Sequence, residues 1–155
     1  MFMCVVLVAG CSPSPSWMKS FQASSSITIY EGLPHQLREA ELLDQEMQRS
    51  DIVRIGDFVF YTPGVTPDTP EEEQFKILIC ESGFYSARTL VPPDCGPFHP
   101  DFAVEWMSEG LTHHILICFT CNEVQVISEN AREEYYVSHI HDLEMILSKF
   151  SHKRP

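Results

Sequence analysis

The first regular pattern along the chain is an alternation at Ile27–Tyr30, with Ile27 and Ile29 on one side and Thr28 and Tyr30 on the other, closed by Glu31-Gly32. A period of two predicts a short half-buried strand. Pro34 then opens a stretch in which Leu37, Ala40, Leu43 and Met47 recur at three- to four-residue steps, while Arg38, Glu39, Glu41 and Glu46 fall mostly elsewhere. That spacing predicts a helix over about residues 35–49. Residues 52–61, IVRIGDFVFY, read as a strand pair or one bent strand, with Gly56-Asp57 as turn or bulge. After a Pro/Gly-rich loop, Thr69 as cap, Pro70 at the first position and Glu71-Glu72-Glu73 in the first turn start a helix that runs to about Cys80 and stops near Gly83.

The second half is patterned mainly as strands. Residues 88–100 form an irregular proline-rich loop, and Phe102, Val104 and Trp106 then share one face of a strand that turns at Glu109-Gly110. Leu111–Phe119 and Glu123–Ser128 supply two more strands. Ser128 or Asn130 is expected to cap a last helix over about 131–150, with Tyr136, Ile140, Leu143, Leu147 and Phe150 as its buried stripe. The order β-α-β-α-β-β-β-α predicts an α+β fold: an antiparallel β-meander with helices packed on one face. There is no internal repeat, and 155 residues suit one domain.

Charge narrows the partners. Ten Lys+Arg against twenty-two Asp+Glu leave a net charge of −12, a field that repels phosphate backbones and argues against nucleic-acid binding. With 44% hydrophobic and 21% charged residues, the composition is that of a globular chain.

Residues 1–10, MFMCVVLVAG, are apolar but too short to cross a bilayer, which takes about 20 residues. They end in Val8-Ala9-Gly10-Cys11, which resembles the lipobox of bacterial lipoproteins, although no Lys or Arg precedes the apolar run. The resemblance implies a signal peptide over 1–10, a fatty acyl group such as palmitate on Cys11, a Ser/Pro-rich tether over 11–26 and a folded domain over 27–152. It places the domain outside the cytoplasm, anchored in the cell envelope.

Six cysteines occur, at positions 4, 11, 80, 95, 118 and 121. Cys95-Gly96-Pro97-Phe98-His99 precedes the meander, and Cys118-Phe119-Thr120-Cys121-Asn122 lies between its second and third strands. Antiparallel neighbours bring the loop before one strand near the far end of the next, so Cys95 and His99 are expected near Cys118 and Cys121. Three readings are open. C-x3-H with C-x2-C supplies four ligands for tetrahedral zinc. A Cys95–Cys118 or Cys95–Cys121 disulfide closes a loop of about 25 residues, worth roughly 3 kcal/mol in the chain-entropy model. Or the cysteines are small core residues, the reading that suits Cys80. Position 122 is Asn, so the C-x2-C-His pattern of covalent haem attachment is not met, and no haem is expected. A strand rather than a helix follows the C-x2-C, which argues against thioredoxin-type dithiol chemistry.

YEGLPH at 30–35, CGPFHPDFAVEW at 95–106 and the following CFTC resemble a group of small exported proteins from planctomycete and related bacteria, over most of residues 27–155. Some members carry His after the second cysteine, where Asn122 stands here. The resemblance implies export and the domain limits, and it supplies no mechanism. Other candidates carry less. His113-His114 lie in a strand and point to opposite faces. His139 and His141 diverge on the expected last helix. Asp68 with the following glutamates lacks the ligand spacing of a calcium loop. No Gly-rich phosphate signature is present. Two functions from different classes are therefore expected: an envelope lipoprotein that binds a protein partner or serves structurally, or a metal- or thiol-dependent enzyme using Cys95, His99, Cys118 and Cys121.

Overall fold

The computed structural model describes residues 15–81, 84–87, 96–129, 131–151 and 153–154. Cys11 and the signal segment, Gly83, Asn130 and Cys95 lie outside these residues. A six-stranded sheet, antiparallel throughout, organises the fold in the order β1-β5-β6-β7-β8-β4. Its strands are β1 (Ile27–Glu31), β4 (Tyr85–Ala87), β5 (Phe102–Ser108), β6 (Leu111–Cys118), β7 (Glu123–Ser128) and β8 (Ala131–Val137). The expected α+β class holds, and the meander at residues 102–128 forms as the alternation predicts. Its first turn is Glu109-Gly110, both with positive φ (53° and 79°), the backbone that a tight two-residue hairpin requires. Its second turn ends at Asn122, also left-handed at φ 52°, a conformation asparagine tolerates.

Three helices cover one sheet face. They are α1 (Trp17–Ala23), α3 (Thr69–Ile79) and α4 (Ile140–Leu147). Phe21, Phe75, Ile79, Leu143 and Leu147 pack there against Ile29, Val104, Trp106, Ile115 and Val124. The other face carries a hairpin of β2 (Ile52–Ile55) and β3 (Phe58–Tyr61), so residues 52–61 resolve as a strand pair. Ile55 and Phe60 of the hairpin close over Ala103 and Leu116. The hairpin also meets the end of β1 through a Gly32–Phe60 bridge. The short helix α2 (Ala40–Glu46) lies beside the hairpin, where Tyr61 donates to the Glu46 carboxylate at 2.8 Å.

Four sequence expectations need correction. Residues 12–26 are not all tether: Trp17, Met18 and Phe21 of α1 are core residues, at positions i, i+1 and i+4 on one helical face. The Ser/Pro flanks concealed a helix of only seven residues. The helix expected over 35–49 shrinks to α2, leaving Leu37 66% exposed. The helix expected over 131–150 splits, with residues 131–137 in β8 beside β7. There Tyr135 and Val137 face the helices while Tyr136 points the other way, and the edge of β7 outweighs the helix propensity of Arg132-Glu133-Glu134. Finally, Asp68 rather than Thr69 caps α3, its Oδ1 accepting from the Glu71 amide at 3.0 Å.

Candidate functional site

Residues of the YEGLPH and CGPFHPDFAVEW motifs meet at one corner of the sheet. Pairing of Glu31 with Phe102 sets β1 beside β5, so the chain leaving β1 at Gly32 runs alongside the chain entering β5 at Asp101. The Gly32 amide donates to the Asp101 carbonyl at 2.7 Å. The approach is so close that a Cβ on residue 32 would lie 2.2 Å from the Pro100 carbonyl oxygen, which is why glycine stands there.

Two imidazoles sit beyond this crossing, their ring centres 4.6 Å apart. The Leu33 carbonyl lies 3.0 Å from His99 Nε2, and because a carbonyl can only accept, Nε2 carries the hydrogen. His35 Nδ1 accepts from the Leu37 amide at 3.1 Å, which requires that nitrogen to be unprotonated. The His35 amide in turn donates to the Glu39 carboxylate at 2.8 Å. Burial, and then the neighbouring His35, push the His99 pKa below its ordinary value, so the ring is held neutral. Leu33, Leu43, Met47, Phe58, Val59 and His99 line a cleft of about 120 Å³ beside it. Ligand pockets usually enclose about 300–1,000 Å³, so this one suits only a few atoms.

The other end of the corner is tied to the C-x2-C turn. Asp101 donates its amide to the Ile117 carbonyl at 2.8 Å, and its Oδ2 accepts from the Phe119 amide at 2.9 Å. The backbone amides of His99 and Cys121 pull the Cys118 pKa down, against the larger effect of burial. Asp101, two residues after His99, is what reaches this turn, whereas the imidazole of His99 is engaged at Leu33. Cys118 is a free thiol, 2% exposed, and burial pushes its pKa up. Cys121, three residues further on, is also buried, at 4% exposed. Cys80 is free, and burial raises its pKa to about 11. Among the described residues, no three His, Cys, Asp or Glu side chains gather as a metal ion would require.

Sequence reasoning singled out His99, Cys118 and Cys121 and gave little weight to Glu31, His35 and Asp101, which are the polar groups of the same corner. The signal was present in the adjacency of Glu31 and His35 within YEGLPH, and of His99 and Asp101 within FHPD. A second polar group lies on the hairpin side of the sheet. There His114 Nε2 is 3.0 Å from Glu105, and the Tyr30 hydroxyl donates to the same carboxylate at 3.4 Å. Burial lowers the His114 pKa against the opposing pull of Glu105, and burial raises that of Tyr30. His113, on the opposite face as expected, stacks on Trp106. No family profile matches the chain, and neither a curated protein nor a solved structure does. Among the described residues, no helix is long and apolar enough to cross a membrane.

Proposed function

We propose that the chain is a lipid-anchored domain of a bacterial cell envelope whose Cys/His corner is a structural clasp, closed by a Cys95–Cys121 disulfide, presenting its surface to a protein partner. The observation that carries this reading is that Cys80 and Cys118 are free thiols while the buried Cys121 is not among them. The cysteines of the sequence left to pair with Cys121 are Cys4, Cys11 and Cys95. Cleavage before Cys11 removes Cys4, and acylation occupies Cys11, which leaves Cys95. A sulfur in a disulfide is not a thiolate ligand, so the bond argues against a four-ligand zinc cage. Two polar side chains of the corner hold backbone: His99 binds the Leu33 carbonyl and Asp101 the Phe119 amide. A raised thiol pKa also disfavours Cys118 as a nucleophile.

Chymotryptic mapping of the exported full chain without reductant tests the clasp, with metal content measured on the same sample. A fragment joining Cys95 to Cys121, with no stoichiometric zinc, is the expected result. A free thiol at Cys121 together with one zinc per chain would replace the clasp by a metal centre. Labelled palmitate tests the anchor: incorporation should disappear in Cys11→Ser, and the variant should leave the membrane fraction. Unchanged membrane association of that variant would refute the anchor.

A further inference from the structure

Ser151, Lys153 and Arg154 lie against the end of β1, and their attachment differs in kind from the rest of the core. Glu31, 6% exposed, accepts from the Ser151 hydroxyl, from the Lys153 amide at 2.8 Å and from the Arg154 amide at 3.4 Å. Lys153 Nζ donates to the Pro63 carbonyl at 2.8 Å. The Arg154 guanidinium pairs with Glu39 and reaches Asp101 at 3.6 Å. Ser151, Lys153 and Arg154 bring no apolar side chain to the core, whose last member before them is Phe150. Ser151 and Arg154 form part of the wall of a cleft of about 240 Å³, with Glu31, Asp101, Phe102, Phe119 and Glu144 among its other lining residues.

We infer that Ser151, Lys153 and Arg154 form a releasable strap that opens while the sheet stays folded, uncovering the cleft at Glu31, Asp101, Phe102 and Phe119. Apolar burial gives the sheet its cooperativity, whereas contacts made only by charge and hydrogen bonding near the surface are weak one by one and screened by salt. The Arg154 side chain keeps 25% of its surface in solvent, and that of Glu39 keeps 38%, so water and ions reach the pair that holds the strap. Opening removes two cations from a corner that carries Glu31, Glu39, Asp101 and Glu144, leaving an acidic cleft with a phenylalanine floor.

Amide hydrogen exchange on the full chain tests the strap. The Lys153 amide should exchange at least about 100-fold faster than the Leu116 amide of β6, which is released only by global unfolding. Raising salt to about 0.5 M should speed Lys153 and leave Leu116 unchanged. Arg154→Gln should speed the Lys153 amide by about two- to fivefold with the urea midpoint of the sheet unmoved. Glu31→Gln should act in the same direction and more strongly, because it removes the charge that all three donors share. Exchange of Lys153 in step with Leu116, or no response to salt and to Arg154→Gln, would overturn the strap and make these residues an integral part of the folding unit.

Discussion

Alanine at position 32 puts a carbon atom 2.2 Å from the Pro100 carbonyl oxygen and 3.0 Å from that of Asp101. Ordinary contact begins at about 3.4 Å, so one of the two backbones must retreat by roughly an ångström. Neither has a side-chain rotation by which to give way. Retreat lengthens the 2.7 Å bond from Gly32 to Asp101 and strains the 3.0 Å bond between Leu33 and His99. Overpacking of this kind costs about 1–3 kcal/mol, and each hydrogen bond lost about 1 kcal/mol more, so Gly32→Ala should destabilise by about 3 kcal/mol. Urea unfolding followed by tryptophan fluorescence reads this directly, because both tryptophans, Trp17 and Trp106, are buried in the sheet–helix core. Gly64→Ala provides the comparison. Its Cβ would meet side-chain atoms, Thr28 Cγ2 at 2.5 Å and Tyr30 Cε1 at 2.7 Å, which can shift. The loss there should be the smaller, about 1–2 kcal/mol. A Gly32→Ala loss under about 1 kcal/mol, or a larger loss at Gly64, would refute the argument that rigid backbone decides the cost.

Three further outcomes follow from the same geometry. Glu109→Asn should stabilise by roughly 0.5–1 kcal/mol, because Asn enters the left-handed region at φ 53° with less strain than Glu; an unchanged or lower melting temperature would contradict this. Asp68→Ala removes the acceptor of the Glu71 amide and should cost about 1 kcal/mol, with Asp68→Asn recovering most of it in the same urea titration. Burial holds His99 and His114 below the ordinary value of 6.5, so just below that pH the unfolded chain binds more protons than the folded one. Stability should therefore fall as pH drops from about 7 toward 5, and less steeply in His114→Gln; a urea midpoint that rises on acidification would exclude the assignment.

Much of the architecture was legible in short stretches. Alternation marked β1 and β5, apolar stretches marked β6 and β7, Glu109-Gly110 marked a turn, and period two sent His113 and His114 to opposite faces. These are local properties, set within a few residues by side-chain direction and allowed backbone angles. What failed locally was decided by neighbours distant in sequence. Trp17, Met18 and Phe21 make a helix worth forming because Phe75 and Trp106 wait beneath it. Residues 131–137 are a strand because β7 offers an open edge with matching register. The corner is the clearest case. Glu31, His35, His99 and Asp101 could each be read as a surface or capping residue. Only the antiparallel register of β1 on β5 and β5 on β6 places Leu33 against His99, and Asp101 against Phe119. The sequence by itself determined which segments alternate, turn and coil. The tertiary structure decided which polar groups share a partner, because such contacts form only once sheet closure has met the entropy of joining distant segments.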